Sequence, residues 1–247
     1  MLTFLLVLSV LVPIQTVGHW EAEGYRALRS GDTARVAEIA KIIDAQHPGS
    51  FSAAMARGSL LLRAGLAQEA LVAFDEAAQI QPAQIPFMWQ RGIAQYYAGE
   101  FEAGRRQFVV HRTVNAHDVE NAVWHYMCVA RLQGTDAAVN DYLPAPGDSR
   151  PPLQEVYDLF AGTASIQTVT DAIAAFPADS PAAKSAQFYG WLYLGMYQDA
   201  QGNLADAERW LKKAVSLNQT HYMADVANVH LQQVVARTKE TEKPAAQ

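Results

Sequence analysis

The chain has 247 residues and a formal net charge of −6. Half of the residues are hydrophobic, which is enough for a continuous core. The acidic balance disfavours nucleic-acid binding, because that function needs a basic surface. The single cysteine, Cys128, excludes an internal disulfide. Its apolar neighbours Met127 and Val129 indicate a small buried side chain rather than a reactive thiol.

Residues 1–18 are predicted to be a signal peptide. Residues 2 to 12 are nearly all apolar, and a run of this length is short for a membrane span, which needs about 20 residues. Thr16 and Gly18 are small enough for cleavage before His19. No Lys or Arg precedes the apolar run, so an uncleaved membrane anchor remains the alternative. The sequence therefore predicts export, to the periplasm or out of the cell, with a membrane involved only through export or through an uncleaved segment.

A 34-residue unit occurs three times, at residues 17–50, 51–84 and 85–118. Two glycines recur seven residues apart in each unit, as Gly24 and Gly31, Gly58 and Gly65, and Gly92 and Gly99. A fixed period of this length predicts stacked helical hairpins. The first glycine of each pair is expected in the middle of the first helix, where a Cβ would collide with the second helix. The later glycine is expected to end that helix in a left-handed conformation.

The pattern becomes less regular after the third unit. Residues 119–142 are predicted to form a degenerate repeat, which completes an N-terminal array over residues 19–142. Four prolines and a glycine make residues 143–152 a proline-rich loop. The C-terminal part, 153–238, is expected to contain a helical pair, a further 34-residue unit at 188–221 and a capping helix that begins at Tyr222. Residues 239–247 are charged or small and are predicted to be a disordered tail.

Residues 51–84 carry a family pattern, which reads Gly58, Gly65, Ala70, Phe74, Ala77 and Pro82. This order of small, aromatic and proline positions resembles the tetratricopeptide repeat (TPR) family. The resemblance implies an all-α solenoid of stacked antiparallel hairpins, with an irregular middle and a C-terminal capping helix. It also implies a protein or peptide partner and no cofactor. Residues 188–230 are further similar to exported bacterial TPR proteins, including periplasmic lipoprotein adaptors, although the lipid-bearing cysteine is missing.

The first helices of such hairpins line a concave groove, and the resemblance implies that ten of their residues contact a partner there. They are Tyr25, Arg29, Met55, Arg63, Trp89, Ile93, Tyr96, Tyr97, Tyr189 and Met196. Aromatic and arginine side chains suit a peptide-binding surface, because they bury a large area and pair with carboxylates. The alternative for each of these aromatic residues is a place in the core.

The most conspicuous polar cluster consists of His111, His117, Asp118, Asn121 and His125. His111 stands where the TPR family has alanine, so it is expected to be buried or in a crevice. The simplest interpretation is a hydrogen-bonded network between two repeats, with Asp118 as a helix cap. The alternative is a metal-binding or hydrolytic site of His111, His117, Asp118 and His125, which would have to converge within about 2.0–2.2 Å of a zinc ion.

No motif supports that alternative. The histidine spacing matches no known metal-ligand pattern, and the sequence has no nucleophile elbow and no glycine-rich phosphate loop. The sequence thus predicts an exported, non-enzymatic scaffold or adaptor that binds a protein or peptide in its groove, with no metal. Self-association into a homo-oligomer through an exposed repeat end is a further interpretation.

Overall fold

The structure is a computed structural model that describes residues 14–177 and 180–241, and this part of the chain contains thirteen α-helices and one 3-10 segment. The helices are α1 Val17–Ser30, α2 Thr33–Gln46, α3 Phe51–Arg63, α4 Ala67–Ile80, α5 Trp89–Tyr97, α6 Phe101–His111, α7 Val119–Gln133, α8 Thr135–Asn140, α9 Leu153–Phe160, α10 Ile166–Ala174, α11 Pro181–Ala200, α12 Leu204–Ser216 and α13 Tyr222–Thr241, and the 3-10 segment is Pro82–Phe87. Within the described ranges there is no β-strand. The all-α prediction is confirmed.

The helices pack as stacked hairpins. Each helix from α1 to α7 contacts the next one along the chain. The first helices of the hairpins, α1, α3, α5 and α7, also contact one another in series. Contacts between alternate helices arise when hairpins stack, because each hairpin packs only on its neighbours. Helix α9 contacts both α7 and α11, and α10 packs on α9 and α11, so this irregular pair joins the N-terminal array to the last hairpin, α11 and α12. The solenoid prediction is therefore confirmed.

The paired glycines explain how the hairpins nest. A Cβ on Gly58 would lie 2.6 Å from the Phe74 ring, and one on Gly92 would lie 2.7 Å from the Phe108 ring, so each glycine lets the second helix approach. The first unit differs, because a Cβ on Gly24 would meet Leu60 of α3 rather than a residue of α2. The later glycines of the pairs have φ values of +71°, +80° and +82°, as expected for left-handed helix ends.

Cys128 of α7 lies where that helix packs on α6. Its side chain is fully buried, and a Cβ added to Gly104 would lie 2.9 Å from its Sγ. Burial raises the pKa of the Cys128 thiol. The prediction of a small buried side chain is confirmed.

Only the last part of the predicted signal peptide can be described, because residues 1–13 lie outside the described residues. Helix α1 begins at Val17, and the Thr16 side chain accepts a hydrogen bond from the His19 amide at its N-terminus. The backbone oxygen of Gln15 contacts His47 Nε2 at 2.7 Å. Cleavage before His19 would therefore remove a helix cap, which typically contributes about 1 kcal/mol. The signal peptide stays a prediction.

Two further segments refine the predicted boundaries. The proline-rich loop 143–152 folds onto the turn between α6 and α7, where Arg112 Nε donates to the Pro144 carbonyl at 2.9 Å and the Val119 amide donates to Asp148 at 3.3 Å. Helix α13 continues to Thr241, so residues 239–241 of the predicted disordered tail are helical. Residues 242–247 of that tail lie outside the described residues.

Helix α13 does more than cover the end of the stack. It packs on α12 and also contacts α3 and α11. Arg63 of α3 and Asp225 of α13 form an ion pair at 2.6 Å. The Tyr97 hydroxyl of α5 lies 3.0 Å from His230 Nδ1. The C-terminal helix thus crosses the inner face of the array and touches its N-terminal repeats.

Among residues 14–177 and 180–241, no helix is both long enough and apolar enough to cross a membrane.

We predict that Gly58→Ala destabilises the protein by about 1–2 kcal/mol, because overpacking against Phe74 outweighs the higher helix propensity of alanine. In the uncleaved chain, Gly18→Ala is the matched control, since Gly18 lies in α1 and a Cβ there would meet nothing within 4 Å. The control is expected to be neutral or stabilising by up to about 1 kcal/mol. Urea unfolding of both variants measures the difference, and a Gly58→Ala protein as stable as the parent would contradict this packing.

Candidate functional site

The structure separates the ten predicted groove residues into exposed and buried sets. Ile93, Tyr96 and Met196 are buried, with at most 5% of their surface exposed, so they pack within the wall of the array. Arg29 is exposed. The remaining six are partly exposed, namely Tyr25, Met55, Arg63, Trp89, Tyr97 and Tyr189. Seven of the ten are thus at least partly exposed, and the role of all ten in binding stays a prediction.

Helix α13 already occupies part of the predicted groove. Arg63 pairs with Asp225 and also lies over the Tyr25 ring at 4.6 Å. Trp89 packs edge-to-face on Tyr222, with the ring centroids 5.0 Å apart. The sequence did not predict this occupancy, which leaves less of the groove open to a partner.

A cavity of about 540 Å³ remains on the inner face, between α5, α6, α7, α11 and the start of α13. Six aromatic side chains contribute to its walls, namely Phe87, Trp89, Phe108, Trp124, Tyr189 and Tyr222. Its polar residues are His111, Asn115, Asp118, Glu120, Asn121 and His221. The cavity therefore brings together Trp89, Ile93 and Tyr189 of the predicted groove with residues of the predicted polar cluster.

Three buried polar atoms of the lining residues lack hydrogen-bond partners, namely Asn121 Oδ1, Trp124 Nε1 and the Tyr222 hydroxyl. Asn121 is 5% exposed, and its Nδ2 donates to the Phe108 carbonyl at 3.0 Å while its Oδ1 has no partner. Trp124 is 2% exposed, and its Nε1 has no partner either. Leaving such an atom unpaired costs about 1–3 kcal/mol. The residues of the cavity wall thus include an unpaired acceptor, Asn121 Oδ1, and an unpaired donor, Trp124 Nε1.

Arg150 fixes the two carboxylates that line the cavity, Asp118 and Glu120, which form its acidic end. Arg150 contacts the carboxylates of Asp118 at 2.9 Å, Glu120 at 2.6 Å and Asp148 at 2.6 Å. The Tyr193 hydroxyl donates a further hydrogen bond to Glu120. Burial raises the pKa of Glu120, and the charge of Asp118 adds to this effect. Asp118 also caps α7, as predicted, by accepting from the Glu120 amide at 3.2 Å.

The predicted polar cluster does not converge. His111 is buried, as expected, and its Nδ1 lies 2.8 Å from the Pro86 carbonyl while its Nε2 lies 4.0 Å from Asp118. His117 is exposed and contacts the Pro146 carbonyl in the proline-rich loop. His125 is fully buried elsewhere, 3.7 Å from Asp141, and burial lowers its pKa to about 4.

The metal or hydrolytic alternative required those side chains to meet. Among the residues that the structure describes, no group of three His, Cys, Asp or Glu side chains is arranged to hold a metal ion. The geometry on which this alternative depended is therefore not found in that part of the chain. The network interpretation fits His111 and Asp118 better, because both contact residues outside their own helices.

A buried carboxylate, Asp199 of α11, fastens α13 to α7 and α11. It lies 2.8 Å from Arg131, 2.6 Å from Arg237 and 3.1 Å from His230 Nε2. The Tyr97 hydroxyl lies 3.0 Å from His230 Nδ1, so the same ring connects Asp199 to α5. Burial alone would raise the pKa of Asp199, but the His230 hydrogen bond and the two arginines outweigh it and hold that pKa well below its usual range.

Sequence reasoning missed several residues of this site. Trp124 was not among the predicted site residues, although it lines the cavity and its buried Nε1 has no hydrogen-bond partner. Tyr222 and Met223 reach the cavity only because α13 returns to the array, and no local pattern in the sequence signals that return.

No protein-family model matches the chain, and no curated protein matches it in sequence. Among solved structures, the chain is similar to the crystal structure of a tetratricopeptide repeat protein from Parabacteroides merdae ATCC 43184. The sequence identity is 16% and the TM-score is 0.45, over 89% of this chain and 98% of that chain. The fold assignment rests on the helix packing described above, which has the stacked hairpins that the TPR resemblance implied.

We predict that Asp199→Asn lowers the free energy of unfolding by about 3 kcal/mol at neutral pH, because it removes the buried charge that pairs with Arg131 and Arg237. Since the folded pKa of Asp199 is depressed, its contribution is complete above the unfolded value of about 3.9 and declines as the pH falls below it. The difference between parent and variant should therefore shrink below about pH 4.

Chemical unfolding at several pH values measures this difference. Asp206→Asn is the control, because Asp206 is 46% exposed in its pair with Arg209 and the change is expected to stay within about 0.5 kcal/mol. An Asp199→Asn variant as stable as this control would show that the buried network does not hold α13.

Proposed function

We propose that the chain is a non-enzymatic repeat scaffold that binds a protein or peptide segment by taking part of it into the inner cavity. The observation that carries this proposal is the pair of buried, unpartnered atoms, Asn121 Oδ1 and Trp124 Nε1, on an aromatic wall. A peptide group has one N–H donor and one C=O acceptor, so a single bound segment could pair with both atoms.

The size and lining of the cavity support a binding role. Its volume of about 540 Å³ lies within the range of roughly 300–1,000 Å³ that is usual for ligand pockets. Aromatic side chains bury a large area with few rotatable bonds, which is why they dominate the binding energy of many interfaces. Trp89 and Tyr189 are partly exposed at this cavity, so both can contact an incoming segment.

A binding role also fits how the polar side chains are used. His111 Nδ1 is engaged by the Pro86 carbonyl, and Arg150 ties together the carboxylates of Asp118 and Glu120. These contacts fix one loop against two helices and leave no aligned pair of nucleophile and base among the lining residues. The proposal therefore treats them as supports for a pocket.

The proposed cellular location and the proposed class of partner rest on the sequence. The apolar run at residues 2 to 12 supports action after export, in the periplasm or outside the cell. The net charge of −6 supports a protein or peptide partner over a nucleic acid. The resemblance to TPR adaptors supports the same class of partner.

Selection of a displayed random peptide library on the purified full chain tests the proposal. We expect enriched peptides whose affinity, measured by fluorescence anisotropy, falls at least about tenfold with Trp89→Ala, because truncating a central aromatic residue typically costs more than 1 kcal/mol. Trp124→Phe keeps a ring but removes the free donor, and a loss of about threefold to tenfold is expected.

Trp191→Ala is the matched control, since Trp191 is also partly exposed but lies outside the cavity on α11. It should leave the affinity unchanged, and thermal melting should show all three variants folded. Peptides that bind the parent, Trp89→Ala and Trp124→Phe equally well would contradict binding in this cavity, as would a selection without any enriched sequence.

A further inference from the structure

We infer that the cavity recognises a cationic nitrogen group, such as the ammonium of a lysine side chain or of another primary amine. This inference rests on the proposed function, because it names the chemistry of the group that the cavity takes. It is carried by three features that coincide there: an excess of carboxylates, a wall of aromatic rings and a buried free acceptor.

The charges around the cavity are unbalanced. The residues that line it include two carboxylates, Asp118 and Glu120, and no lysine or arginine. Arg150 is the one guanidinium that contacts these groups within the described chain, and it is shared with Asp148. Three carboxylates against one guanidinium leave an excess of negative charge beside the cavity. At most 18% of each of these carboxylate side chains is exposed, so screening by solvent is weak. A ligand with a positive charge would reduce that excess.

The aromatic wall favours the same ligand. The faces of Trp, Tyr and Phe rings attract a cation that lies within about 6 Å of the ring centroid, and the attraction is stronger where water is excluded. Trp89, Tyr189 and Tyr222 all line the cavity beside the acidic end. The chain already uses this interaction nearby, since Arg63 lies over the Tyr222 ring at 5.2 Å.

The free acceptor distinguishes an ammonium from a purely apolar cation or a neutral side chain. Asn121 Oδ1 is buried and unpaired, and an ammonium brings three N–H donors and no acceptor. An anion would meet Asp118 and Glu120 with like charge, and an alkyl group would leave Asn121 Oδ1 unpaired. Trp124 Nε1, a donor, would then remain for a carbonyl oxygen of the same bound segment.

The test uses the indole N–H signals of the five tryptophans in the NMR spectrum of the full chain. It compares titrations with n-butylammonium chloride, n-butanol and sodium hexanoate. We expect n-butylammonium to shift the Trp89 and Trp124 signals in a saturable way and to bind at least about fivefold more tightly than n-butanol, as a cation–π contact of about 1 kcal/mol implies. Hexanoate should produce no saturable shift of these signals.

Variants locate the charge that matters. Asp118→Asn with Glu120→Gln should weaken n-butylammonium binding about fivefold or more while leaving n-butanol unchanged, and asparagine at position 118 retains the helix cap. Asp206→Asn, on the exposed face of α12, is the control and should change neither titration. The tripeptide acetyl-Gly-Lys-Gly-amide identifies the source, because binding tighter than that of n-butylammonium indicates a lysine of a protein, and equal binding indicates a free amine.

Three outcomes would overturn the inference. They are equal binding of n-butanol and n-butylammonium, preferential binding of hexanoate, and selected peptides that depend on Trp89 yet contain no basic residue. Each of these leaves the proposed binding function in place and changes only the class of ligand. If the selected peptides do not depend on Trp89 or Trp124 and no titrant shifts the signals of these residues, both the proposed function and this inference are contradicted.

Discussion

The arrangement of this protein depends on one buried carboxylate, Asp199, which holds the C-terminal helix against the inner face of a helical solenoid. Three groups from two other helices surround it, with Arg131 on α7 and both His230 and Arg237 on α13. An unpaired buried carboxylate would be costly, so α7, α11 and α13 must come together for Asp199 to remain charged. Tyr97 extends the network to α5 through His230. Four helices that are distant in sequence are thereby fixed in one geometry.

The candidate site follows from that geometry. Stacked hairpins leave a concave face, and α13 covers much of it through contacts with Arg63, Trp89 and Tyr97. What remains is a cavity of about 540 Å³ whose walls come from residues 87–124 and 189–223. The contacts that close the array also help to shape this cavity, because Tyr222 of α13 packs on Trp89 of α5 in its wall. Binding and closure are therefore coupled through the same helices.

The parts of the fold that sequence predicted are those fixed by local spacing. The contacts of Gly58 with Phe74 and of Gly92 with Phe108 repeat at 34 residues, so the period alone implied them. The path of α13 could not be predicted, because Arg63 and Asp225 are 162 residues apart and meet only through the curvature of the whole array. The polar cluster shows the same limit. Asn121 and His125 are one helical turn apart, yet Asn121 lines the cavity while His125 faces Asp141, since α7 is buried on several sides.

The most direct test of this account is a double-mutant cycle between Arg63 and Asp225, which form an ion pair at 2.6 Å between the second repeat and the C-terminal helix. Unfolding free energies of Arg63→Met, Asp225→Asn and the double variant give the coupling energy. A closed array predicts a favourable coupling of about 1 kcal/mol or more, as expected for a partly buried, charged hydrogen bond. Effects that add within about 0.3 kcal/mol would show that the two helices do not meet, and would contradict both the closed inner face and the cavity that it creates.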